Sequence, residues 1–221
     1  MPENSPEKAP EPPLRPRPRI ESLSDLIFGL ALSVGSLALV SSLPTNEGAL
    51  IQDIGTFAFT FLILISVWFD YTRIMSVMPI NEQRTVTLNT VLLFTVSLEP
   101  FLFILLKSPS NSSPFFLFVS QVYAVDLGTM MAVLASFAGT LAVDLKIRLD
   151  PKVRASFRRE SLLRFVSAGV FLLSVAPVFG TTVVTIGAFQ EPLRIIMWFV
   201  PLAFAVSTRR RRAIGTDAET V

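Results

Sequence analysis

Four carboxylates sit in or beside long apolar runs, where ionised groups are costly and therefore functional candidates by default: Asp70, Glu99, Asp126 and Asp144. Glu99 precedes Pro100 toward the outer third of its run. It reads either as lining an outer vestibule that concentrates cations or as a protonated or Arg194-paired group. Asp126 reads as a polar bond between helices, and Asp70 and Asp144 as interfacial ion pairs beside Arg73 and Lys146. A second polar set opens the first apolar run, with Ser22, Ser24 and Asp25. Ser22 and Asp25 fit the S-x-x-D capping pattern, and Asp25 is favoured by the helix dipole, so a capped helix start accounts for both. Much other chemistry is excluded. The chain has no Cys and no His, which removes disulfides, thiolate nucleophiles, zinc thiolate sites, Ser-His-Asp triads and H-E-x-x-H centres. The commonest general base is also missing, which does not exclude an enzyme but gives a membrane enzyme acting on lipids little to work with. The chain is expected to be a non-enzyme without a cofactor.

The elements that must position these groups are helices in lipid. Of 221 residues, 51% are hydrophobic and only 16% charged, against about 25% charged in a typical soluble domain. The mean hydropathy is +0.59. A bilayer core about 30 Å thick takes roughly 20 apolar residues of helix. Six stretches qualify: Leu26–Leu43, Ile54–Asp70, Val86–Leu106, Phe115–Leu145, Leu162–Ala188 and Leu193–Ser207. The expected fold is an all-α integral membrane protein with six transmembrane helices per chain. Every Lys and Arg except Lys107 and Arg194 falls on one side of this plan, so the positive-inside rule puts both termini in the cytoplasm.

The basic clusters read as topology determinants and contacts for anionic lipid headgroups, with no nucleic acid as partner. The run Lys146–Arg159, interrupted by Asp150-Pro151, reads as a cytoplasmic linker. Seven of the 16 prolines lie within residues 1–18, a composition that predicts a disordered tail. Residues 19–208 then form the membrane domain and 209–221 a basic, then polar, tail. The expected location is the plasma membrane of a prokaryote, as a multi-pass protein.

The first span is unusual for a simple anchor. It carries Gly29, Ser33, Gly35, Ser36, Ser41 and Ser42 among its leucines, and small residues about four apart let helices pack closely in lipid. A 100° step puts Leu26, Leu30, Ser33 and Leu37 on one narrow stripe, with Phe28, Leu32, Gly35 and Leu39 broadly opposite. That stripe is either an ordinary packing face or, in a symmetric oligomer, the lining of an axis, where hydrophobic constrictions gate by dewetting.

Three motifs in register point further. Arg19-x-x-x-Leu23-Ser24-Asp25 resembles the R-x-x-x-F-S-D signature that opens the first helix of the transmembrane protein 175 family of potassium channels. The segment from Phe61 to Trp68 is similar to that family's second helix, which ends in Trp. Leu88-Asn89-Thr90-Val91-Leu92-Leu93-Phe94, followed by Pro100-Phe101, is similar to its third. Leu23 replaces the signature Phe, and Tyr71 stands where many relatives have His.

The resemblance implies a potassium-selective leak-type channel, a homotetramer whose pore is lined by the first helix. Its constrictions would be Leu26, Leu30 and Leu37, with Ser33 as the selectivity position. A polar network of Arg19, Ser24, Asp25, Trp68 and Asn89 would surround the helix start, with the Tyr71 hydroxyl in place of the His. No T-V-G-Y-G run occurs, so a filter of backbone carbonyls is not expected. Potassium would be the transient ligand. The alternative is a proton-coupled secondary transporter using Glu99 or Asp126.

Overall fold

The computed structural model describes residues 19–41, 44, 46–79, 82–106, 114–144, 149–186 and 189–201. The tails expected at 1–18 and 209–221, and Lys107 and Lys146, lie outside the described residues. Five long helices form the body: α1 (Arg19–Ser41), α2 (Glu47–Met75), α3 (Gln83–Leu106), α4 (Pro114–Val143) and α5 (Pro151–Leu173). A short helix α6 (Pro177–Thr181) and a hairpin of β1 (Val183–Ile186) and β2 (Phe189–Pro192) follow, before helix resumes over 193–201. The hairpin is antiparallel, with Val184 opposite Glu191.

Among the described residues α2, α3 and α4 are long and apolar enough to cross a membrane. At 29, 24 and 30 residues and 1.5 Å rise per residue, each exceeds the roughly 30 Å hydrocarbon core. The protein is a mostly helical, multi-pass membrane protein. α4 packs most extensively on α5, α3 on α4, and α1 on both α2 and α3. The core is continuous from Phe28 on α1 through Val67, Leu92 and Leu127 to Phe171 on α5.

Local sequence explains the ends and the closest approaches. Asn46 caps α2, its side chain accepting from the Ala49 amide at 2.9 Å, and Arg73 lies in the last turn, where a cation is favoured. α4 meets α5 through small residues: a methyl on Gly128 would lie 3.0 Å from Leu172, and one on Gly139 would lie 3.1 Å from the Ser161 hydroxyl. That hydroxyl donates to the Ala135 carbonyl at 2.8 Å. Small residues here let two backbones approach as membrane helices commonly do.

Two expectations are corrected, and a third gains a partner. The fifth span does not run from Leu162 to Ala188. Helix α5 begins eleven residues earlier, because Asp150 accepts from the Lys152 amide and Pro151 occupies the first turn, so the pair starts a helix rather than interrupting a linker. It ends at Leu173, and the β-branched run from Thr181 to Ile186 supplies a strand. Ser22 and Asp25 are not a helix start either, since α1 is already helical at Arg19. Finally, Asp70 is joined to Arg164 across the bundle, an inter-helix partner that spacing along the chain did not suggest.

Candidate functional site: the outer face and inner anchor of α1

Helix α1 has one face that the protomer covers and one that it does not. Ser24, Phe28 and Ala31 are buried, and Gly35 packs with Phe57 3.8 Å from where its Cβ would stand. On the other side Leu26, Leu30 and Leu37 are 68%, 61% and 66% exposed, with Leu23 and Val34 beside them. Ser33 lies on this open side. Its hydroxyl donates to the Gly29 carbonyl at 2.8 Å, which leaves the oxygen lone pairs as the group's free function. Outward-facing oxygen lone pairs can accept from water or meet a cation, and they offer nothing to an anion. The stripe derived from helical geometry is thus an exposed surface of leucines interrupted by a hydroxyl acceptor.

The covered face is fixed by side chains from α2. The Trp68 indole donates through Nε1 to Asp25 Oδ1 at 3.0 Å. The Tyr71 hydroxyl donates to Ser24 Oγ at 2.7 Å, in a site where both residues are buried. The Tyr71 ring also packs on Phe28, 5.6 Å between centroids. Trp68 and Tyr71 lie three apart on α2, on one face, and so meet the adjacent Ser24 and Asp25 together. Asn89 is buried on α3, its Oδ1 without a hydrogen-bond partner among the described residues. The side chain of Arg19 lies outside the described residues.

Three further polar clusters gather residues whose partners across helices the sequence did not show. Asp70 and Arg73 on α2 meet Glu160 and Arg164 on α5: Asp70 with Arg164, Arg73 with Glu160, and Arg164 with Glu160 at 3.1 Å. The Arg73 guanidinium also lies over the Phe157 ring at 5.3 Å. The sequence signals were Asp70 beside Arg73 and the i,i+4 pair Glu160/Arg164, which straddles the start of the expected fifth span.

The second cluster holds Glu99. It is wholly enclosed between α2, α3 and α4, where the Tyr123 hydroxyl donates to its Oε1 at 2.9 Å and stands 3.0 Å from the Thr60 hydroxyl. Asp126 is buried on α4, one turn beyond Tyr123. The third cluster surrounds Arg194, which does not meet Glu99. It donates instead to the carbonyls of Ser174 at 2.7 Å, Leu117 at 3.1 Å and Val175 at 3.3 Å, and to the Ser120 hydroxyl. The α5 end offers unpaired carbonyls that suit a guanidinium.

Residues 19–100 match the family described as "Endosomal/lysosomal potassium channel TMEM175". Over those residues the chain is similar to the TMEM175 family. The matched segment spans α1, α2 and most of α3, and so contains both the exposed α1 stripe and the Ser24–Tyr71 and Asp25–Trp68 bonds. The likeness to solved TMEM175 structures extends over most of the chain. A lysosomal potassium-selective channel TMEM175 homolog from Chamaesiphon minutus is similar with a TM-score of 0.62 at 20% identity, over 87% of this chain and 96% of that one. A variant of the potassium channel MtTMEM175, solved with a nanobody–MBP fusion, gives 0.56 at 17% identity, over 90% of this chain and 94% of that one. No curated protein matches the chain.

Proposed function

We propose that the protein is a potassium-selective, leak-type cation channel, a homotetramer with α1 from each chain around a central pore. Each chain contributes six spans, with both termini in the cytoplasm of a cell that carries it in the plasma membrane and anionic lipids at its basic segments. Leu26, Leu30 and Leu37 form hydrophobic constrictions, Ser33 offers oxygen to a partly dehydrated ion, and no carbonyl filter is used. Ser24, Asp25, Trp68 and Tyr71, with Arg19 and Asn89, hold the helix at the angle that sets the pore radius.

The observation that carries this reading is the outward face of α1. The exposed faces of α2, α3, α4 and α5 each present phenylalanine: Phe61 and Phe69, Phe94 and Phe101, Phe115 and Phe118, and Phe165. Among its described side chains, the exposed ones of α1 are leucine, valine, serine and glycine, and its one Phe is turned inward. A lipid-facing helix has no reason to avoid aromatics, whereas four copies of a helix meeting at an axis have no room for them. The two solved relatives, a potassium-selective channel and a potassium channel, suggest the ion.

The test is potassium flux into liposomes containing the purified chain, against sodium. Electrically driven potassium flux without a coupled ion supports the channel, and Leu30→Ala should raise it by widening the constriction. Ser33→Ala should lower the potassium/sodium ratio. Unchanged flux in Leu30→Ala overturns the constriction.

A second reading, the proton-coupled transporter, is favoured by one observation: Glu99 and Asp126 are both buried, each with one carboxyl oxygen lacking a hydrogen-bond partner. Flux that requires a proton gradient and is lost in Glu99→Gln selects it.

A further inference from the structure

Helix α5 is too long and too polar at its start to be read as a span alone. Its apolar half, Leu162–Leu173, covers about 18 Å at 1.5 Å per residue, so the half before it extends through the headgroup region. On that lower half Lys152, Arg158 and Arg159 are exposed. Directly above them Leu162, Phe165 and Val166 are 61%, 49% and 60% exposed. At 100° per residue, Arg158, Arg159, Leu162, Phe165 and Val166 occupy about 120° of the helix circumference. Two arginines thus end an outward apolar stripe, about one turn below Leu162. The carboxylate that belongs to this stretch, Glu160, points the other way and is buried against Arg73 and Arg164. No described residue pairs with Arg158 or Arg159.

We infer that this face of α5 is a binding site for one anionic phospholipid, its headgroup phosphate held by Arg158 and Arg159 and an acyl chain laid along Leu162, Phe165 and Val166. The charge complement is specific. Guanidinium forks match phosphate oxygens bidentately, and an unneutralised pair at headgroup depth selects phosphatidylglycerol over phosphatidylcholine. Lys152, on the same sector two turns below Arg159, draws the headgroup from the aqueous side. The site deepens the anionic-lipid part of the proposed function, and it rests on the membrane-spanning fold and not on ion conduction.

The experiment is native mass spectrometry of the full chain released from nanodiscs made with equal phosphatidylglycerol and phosphatidylcholine. The wild type should retain phosphatidylglycerol in preference. Arg158→Gln with Arg159→Gln should cut that preference about tenfold, taking each basic group near the surface as a substantial fraction of the attraction. The double Lys variant should retain most of it, since the charge remains. Both sites are exposed, and an unchanged elution profile checks that the variants stay assembled. Arg159→Gln alone, with a smaller loss, serves if the double Gln variant does not.

Equal retention of the two lipids by the wild type overturns the inference, and so does an undiminished preference in the double Gln variant. Potassium flux measured on the same preparations separates the two proposals. A chain that conducts nothing but keeps its lipid preference sinks the channel and leaves the lipid site standing.

Discussion

Removing one hydroxyl tests whether α2 anchors α1 as the geometry says. Tyr71→Phe deletes the donor to Ser24 Oγ, a 2.7 Å bond in a site that water does not reach. The ring stays, so its packing on Phe28 is kept. The Ser24 hydroxyl retains a fallback in its own helix, the carbonyl four residues earlier, so the single change is cushioned. Net values for a buried hydrogen bond run about 0.5–1.5 kcal/mol, and side-chain bonds between membrane helices average about 0.6 with a maximum near 1.7. The short distance and full burial put this bond toward the upper part of that range. Tyr71→Phe and Ser24→Ala should each destabilise the chain, and the double variant should cost about 1 kcal/mol less than their sum. The assay is a double-mutant cycle on unfolding by SDS titration in mixed micelles. Phe57, packed on the far part of α1 at Gly35, gives a control pair with Ser24 that should add within about 0.5 kcal/mol. Additivity of Tyr71→Phe with Ser24→Ala would refute the anchoring argument. The same variants should alter flux only if α1 lines the pore.

Four other substitutions have definite expected outcomes. Arg194→Leu strips donors from the Ser174, Leu117 and Val175 carbonyls and should cost about 3 kcal/mol or more. Because Arg194 and Glu99 sit in separate networks, it should add to Glu99→Gln in the same titration. Gly180→Ala places a methyl 2.8 Å from Arg194 Nη2, and with that guanidinium tied down it should destabilise by about 1–3 kcal/mol. Gly29→Ala, which meets nothing within 4 Å, should be neutral or slightly stabilising. Arg164→Leu leaves Asp70 without its α5 partner and takes one of two cations from Glu160. A cost of about 3 kcal/mol is expected, and restoring neutrality with Asp70→Asn should recover part of it.

What the sequence disclosed and what it hid divide along a physical line. Periodicity placed α1 to α4 because their apolar runs are long and each follows its own helix. The same 100° step isolated Leu26, Leu30, Ser33 and Leu37 before any neighbour was known, since which residues share a helix face is a property of one segment. Partners across helices are not. Asp70 has Arg73 three residues along α2, where spacing pointed, but its partner across the bundle, Arg164, comes from α5 and no spacing along the chain could show it. Arg194 and Glu99, opposite charges in an apolar chain, invited pairing. The carbonyls freed where α5 stops claimed the guanidinium instead, and hydroxyls from Tyr123 and Thr60 gathered at the carboxyl. α5 itself was hidden by its first half, where exposed arginines outweigh the apolar signal and a Pro reads as a break although it opens the helix.

The two faces of α1 give the last step. Its inner side is held by side chains whose hydrogen bonds reach α2, while the serines near its open side bond back to their own helix, Ser33 to Gly29 and Ser36 to Ser33. Self-satisfied hydroxyls on an open apolar face do not demand a neighbour, so they glue nothing. They do present oxygen lone pairs to whatever occupies the space outside. If that space is lipid, Ser33 is idle and its loss is silent. If it is an axis shared by four chains, Ser33 supplies the sole oxygen between Leu30 and Leu37 on the stripe, and the potassium/sodium ratio must respond to Ser33→Ala even though the fold does not. A stability measurement that stays flat, paired with a permeability ratio that moves, is a combination that packing alone cannot produce.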